Sequence, residues 1–112
     1  FLKKTTYSTA RLGEANKRES YDAARNQLIS EVRQAYLDIQ TARLQYQASQ
    51  LAEQSAQEDM KLQSERYRLG ASSILELLNA QFSLTDAQSI RIHALYQLNT
   101  AVASMAKAMG RM

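Results

Sequence analysis

The 112-residue sequence contains no cysteine, no proline and no tryptophan, and it has only three glycines and one histidine. Without cysteine there is no disulfide, no thiolate metal site and no cysteine nucleophile, and the chain suits an oxidising or a reducing compartment equally. Without proline, and with so little glycine, almost nothing interrupts a helix. No apolar run approaches the length of a membrane span, so no part of it is expected to cross a bilayer as a helix. The start, Phe1-Leu2-Lys3-Lys4-Thr5, lacks the long apolar core and small-residue cleavage site of a secretory signal, and a mature chain or a fragment of a larger protein is expected. The net charge is +3, but 11 of the 14 basic and 9 of the 11 acidic residues lie interspersed within residues 1–70. No concentrated basic stripe results, so no nucleic-acid partner is expected, although the isoelectric point of about 9.3 keeps a small helical nucleic-acid binder as a third reading.

What is abundant is periodicity. Alanine recurs every seven residues at Ala80, Ala87, Ala94, Ala101 and Ala108, and Leu77, Leu84, Leu98 and Met105 stand three residues before four of them. A straight α-helix has about 3.6 residues per turn, so a strict seven-residue file stays on one face only if the helix wraps left-handed around a neighbour. Small residues in one of the two seam positions let the backbones come close. Arg91 alone breaks the file, and its stem is expected to lie along apolar surface with the guanidinium in water.

From about Tyr21 to Arg68 the chain is rich in Gln, Ala, Glu, Arg and Leu, the composition of a long helix. Helix is expected from about Glu14 at the latest, because Gly13 and the Thr/Ser-rich stretch before it weaken the propensity. Leu69-Gly70-Ala71-Ser72-Ser73 is the central turn, with Gly70 suited to the left-handed residue that ends a helix. Ser73-Ile74-Leu75-Glu76 has the spacing of a capping box, which restarts a helix at about residue 74 and carries it to about 109. The predicted fold is all-α: a long antiparallel, coiled-coil-like helical hairpin, with arms of roughly 70 to 90 Å and roughly 50 Å at 1.5 Å per residue.

Each arm carries two apolar stripes. On the first, Leu28, Val32, Ala35, Ile39, Ala42, Tyr46, Ser49, Ala56 and Met60 form a seam, while Leu37, Leu44 and Leu51, continued by Ala48, Leu62 and Leu69, lie on the far side. On the second, Leu75, Leu78, Phe82, Ile92 and Tyr96 sit nearly opposite the alanine file. One hairpin buries one stripe per arm. Leaving Leu37, Leu44 and Leu51 in water forgoes about 1.5 to 3 kcal/mol each, an upper estimate, against about 5 to 15 kcal/mol for the stability of a whole domain. Lateral assembly into a curved wall is therefore expected, with a four-helix bundle as an equally weighted alternative on periodicity alone.

The run Glu65-Arg66-Tyr67-Arg68-Leu69-Gly70-Ala71-Ser72-Ser73-Ile74-Leu75-Glu76-Leu77-Leu78-Asn79-Ala80-Gln81, with Ala108-Met109-Gly110 ending forty positions after Gly70 and Val32-Arg33-Gln34-Ala35-Tyr36 upstream, resembles the TolC-like outer-membrane efflux proteins. The likeness runs from about Tyr21 to Gly110 and is nearer the second of that family's two internal repeats. It implies one periplasmic hairpin of an α-barrel wall in a larger protein. The partners it implies are a homo-oligomer, a trimer in the full-length protein, a periplasmic adaptor and an inner-membrane pump. The family's membrane strands and its second hairpin are missing from this sequence.

By that resemblance Tyr67, Leu69, Gly70, Ala71, Ser72 and Ser73 form the tip that docks the adaptor, against the plainer reading of a solvated turn. Ser72, Glu76 and Asn79 are candidates for the tunnel constriction, where anionic rings favour cations, with Glu76 also read simply as a helix cap. His93 has no second histidine at ligand spacing, so no metal site is expected. Tyr36, Tyr46 and Tyr96 are read as packing residues, and Asp38, Glu53, Glu58, Asp59 and Asp86 as solvated faces. No catalytic constellation and no cofactor site is present in the pattern, so no enzyme activity is expected. A periplasmic adaptor hairpin or another coiled-coil scaffold is the alternative function.

Overall fold

The structure, a computed structural model, describes residues 2–110, with Phe1, Arg111 and Met112 outside the described residues. Two helices account for it: α1, Leu2–Arg68, and α2, Ile74–Gly110. They run antiparallel over the length of α2 and form a rod 102 Å long and 19 by 14 Å across. The expected hairpin is thus present. Helix α1 extends N-terminally past Glu14 to Leu2, because neither Gly13 nor the Thr/Ser-rich stretch outweighs the propagation of a helix already long on its C-terminal side. Thr9 Oγ1 donates back to Thr5 O at 2.8 Å, a local bond compatible with the helix.

The turn forms by an identifiable mechanism. Gly70 takes φ of +78°, and no other described residue has positive φ. Ala71 N–H donates to Arg66 O at 2.7 Å and Gly70 N–H to Tyr67 O at 3.0 Å. That pair of bonds is the Schellman closure, which satisfies carbonyls at the end of α1. Ser73 then caps α2: its Oγ accepts from Glu76 N–H at 3.2 Å while its carbonyl accepts the first helical bond, from Leu77 N–H, at 3.2 Å.

Contact between the arms follows the seven-residue file. Ala35, Ala42 and Ser49 on α1 are buried, as are Ala80, Ala87, Ala94 and Ala108 on α2, with Ala56 and Ala101 half-buried between them. Leu28, Val32, Ile39, Tyr46 and Met60, and Leu77, Leu84, Leu98 and Met105, are half-buried beside them. The core is narrow. No large side chain is fully buried among the described residues, so a seam of methyl groups holds the hairpin while larger apolar groups remain outside it.

Those groups lie on two opposite edges. Leu37, Leu44 and Leu51 are 50%, 66% and 66% exposed along the outer edge of α1, and Leu75, Phe82 and Tyr96 are 65%, 70% and 69% exposed along that of α2. The leucine stripe does not turn inward to join the alanine file. Residues 3–27 are exposed and extend beyond the end of α2. No described helix is long and apolar enough to cross a membrane.

Candidate functional site

The tip residues follow from the cap chemistry. Leu69 is 72% and Tyr67 44% exposed, and Gly70, Ala71 and Ser73 are exposed with them, whereas Ser72 is half-buried. Arg66 Nη2 donates to Ala71 O at 3.4 Å, and Arg68 pairs with Glu65 on the adjacent turn. Both cations favour the carbonyl end of α1, though an exposed pair of this kind contributes little to stability.

Of the three constriction candidates, two meet. Ser72 Oγ donates to Glu76 Oε2 at 2.6 Å, and the Gln63 amide oxygen lies 3.2 Å from the same hydroxyl, tying the turn back to α1. The Glu76 carboxylate therefore engages the side chain of Ser72, while its backbone N–H takes the Ser73 cap. Asn79 stands one turn further along the same face, exposed and without a hydrogen bond to either.

One seam position reads differently from the sequence expectation. Glu53, expected on a solvated face, continues the three-four spacing between Ser49 and Ala56, and its side chain is only 14% exposed. Its carboxylate meets the guanidinium of Arg91, which is 32% exposed and lies within the seam instead of reaching out into water. Glu53 raises the Arg91 pKa above its already high ordinary value, and the Tyr46 hydroxyl adds to that effect. Each polar break in the seam supplies the other's partner, which is why neither has to extend to solvent. The signal was present in the register, since position 53 falls on the file even though its residue type does not.

The same register divides the remaining surface into two faces of different charge. On one lie Glu31, Asp38 and Asp59 of α1 with Glu76 and Asp86 of α2, offset by Arg66 and Lys107. A shallow groove runs along it, floored by Ala48, Ala52 and Ala94 and walled by Gln45, Ile90, His93 and Gln97. It continues past Asp38, Thr41, Thr100 and Ser104. The opposite face carries Arg33, Arg43, Lys61 and Arg68 and no carboxylate from Ile29 to Gly110. Glu58 belongs to neither and lies on the α1 edge. His93 approaches the Gln97 amide at 3.2 Å, and no group of acidic or histidine side chains that could hold a metal occurs among the described residues. Tyr46 packs in the seam as expected, but Tyr36 and Tyr96 are exposed, at 51% and 69%.

The model of the outer membrane efflux protein family matches residues 4–111. The chain belongs to that family, a transport family associated with the outer membrane. No curated protein and no solved structure matches the chain.

Proposed function

We propose that this hairpin is a length of periplasmic tunnel wall in an outer-membrane efflux or secretion duct, acting as a passive conduit and not as an enzyme. The observation that carries the reading is the pair of exposed apolar edges, Leu37, Leu44 and Leu51 on one side and Leu75, Phe82 and Tyr96 on the other. Staves of a closed tube bury both edges against neighbours, and a free-standing hairpin buries neither. In this reading three full-length chains form the tube, and the membrane-spanning strands lie outside these 112 residues.

The acidic face with its groove suits the lumen. A polar, net negative lining lets solutes pass without apolar capture and favours cations. Tyr67, Leu69, Gly70, Ala71, Ser72 and Ser73 dock the periplasmic adaptor, through which an inner-membrane pump supplies the energy. Ser72, Glu76 and Asn79 contribute to the narrow entrance. Family membership supports this duct reading over that of an adaptor hairpin.

Cysteine accessibility in the full-length protein tests it. Leu44→Cys and Phe82→Cys are expected to be shielded from a bulky polar maleimide in the native assembly and to react once it is dissociated, while Asp38→Cys reacts with a small permeant reagent in both states. Equal labelling of Leu44→Cys in the two states would remove the tube.

A further inference from the structure

The face opposite the acidic groove has two parallel ribs. Along α1 stand Arg33, Arg43 and Lys61, all exposed and none in an ion pair, separated by glutamines. Along α2, in the half away from the tip, Ile92, Leu95, Val102 and Met109 follow three-, seven- and seven-residue steps and are 60%, 36%, 49% and 56% exposed. This second rib is distinct from the edge at Leu75, Phe82 and Tyr96, so closing a wall edge to edge does not cover it. Arg33 and Arg43 lie alongside it, since Ala35 and Ala108 share one groove and Ser49 and Ala94 another.

We propose that this face takes a long amphipathic helix of a partner protein, its apolar stripe seated on Ile92, Leu95, Val102 and Met109 and its acidic edge along Arg33, Arg43 and Lys61. A straight cationic row beside an apolar row of coiled-coil spacing is matched by an element of equal straightness and period, which is a helix. Nucleic acid does not fit: the cations are roughly 15 and 27 Å apart at 1.5 Å per residue, whereas duplex DNA presents a charge about every 1.7 Å. A second copy of this chain fits poorly, because its own acidic face is a groove floored by alanines and has no projecting apolar ridge. The proposal does not require the tunnel reading, since it uses the face and not the edges.

The probe is a synthetic helix of about four heptads with leucines at both seam positions and glutamates flanking them, paired with a control carrying lysines in place of the glutamates. A photo-cross-linker is placed at Val102 on this face and, separately, at Gln97 on the other. The acidic helix is expected to bind and cross-link from Val102 only, with affinity falling as salt rises. Arg33→Glu/Arg43→Glu/Lys61→Glu is expected to weaken it about tenfold or more with helicity by circular dichroism unchanged. A milder set, Arg33→Gln/Arg43→Gln/Lys61→Gln, gives a smaller loss in the same direction. Equal binding of the two peptides, cross-linking from Gln97, or affinity unmoved by either variant set would overturn the proposal. So would preferential binding to phosphatidylglycerol vesicles, or cross-linking from Val102 to a second copy of the chain in place of the peptide.

Discussion

Glu53 and Arg91, thirty-eight positions apart in sequence, form an ion pair across the helix seam, each filling a place that the surrounding repeat gives to an apolar or small residue. Two half-buried charges on facing helices stabilise only as a pair, because removing either leaves the other desolvated without a counter-charge. Thermal melting of Glu53→Leu or Arg91→Leu is expected to show a lower Tm than the parent. The double Glu53→Leu/Arg91→Leu is expected to melt at or above it, since leucine continues the file of Leu84 and Leu98. Two single losses that add in the double variant would show that the charges do not act together.

The same pair sets a pH expectation. Because Glu53 and Tyr46 raise the Arg91 pKa above the ordinary arginine value, the contribution of this guanidinium is complete below that ordinary value and is lost only as pH rises beyond the raised one. Arg91→Lys moves the loss down to the lysine range, near pH 10. The Tm gap between parent and Arg91→Lys is therefore expected to widen as pH is raised from about 7 to about 10, and a gap independent of pH would contradict the pairing.

Gly70 is constrained by its backbone and not by crowding. A Cβ there meets nothing within 4 Å, while φ is +78°. Gly70→Ala is expected to cost about 1 to 2 kcal/mol, with Gly70→Asn costing less because asparagine tolerates the left-handed region. Denaturant melts of the three proteins check the order.

Seam packing and helix capping separate cleanly. Ala94 is 6% exposed, and Ala94→Leu is expected to destabilise by about 1 to 3 kcal/mol through overpacking. Ser49 is as buried, but its hydroxyl donates to Tyr46 O of its own helix at 2.6 Å, so Ser49→Ala removes donor and desolvation together and is expected to be nearly neutral. At the turn, Ser73→Ala is expected to cost about 1 kcal/mol through loss of the α2 cap.

Much of this was legible in the sequence, for one physical reason. A helix repeats its faces at a fixed angle, so the alanine file, the opposed leucine stripe and the Gly70 stop could all be read without knowing what lay across the seam. Partners across that seam were not legible in the same way. Glu53 was assigned to solvent because a carboxylate is usually solvated, and only the facing Arg91 makes its buried place tolerable. The separation of charge between the two faces needed the register of both helices at once. The bond from Ser72 to Glu76 depends on the turn geometry, which sequence spacing does not specify.

The central claim is that the outer edges, and not the hairpin's own core, join it to its neighbours. Leu44→Glu/Leu51→Glu tests it by two readings of one variant: the melting curve of the isolated chain and the sedimentation of the full-length protein. The account predicts an isolated hairpin that melts like the parent and a full-length protein that no longer forms its trimer. A full-length trimer that persists with both glutamates in place would contradict it.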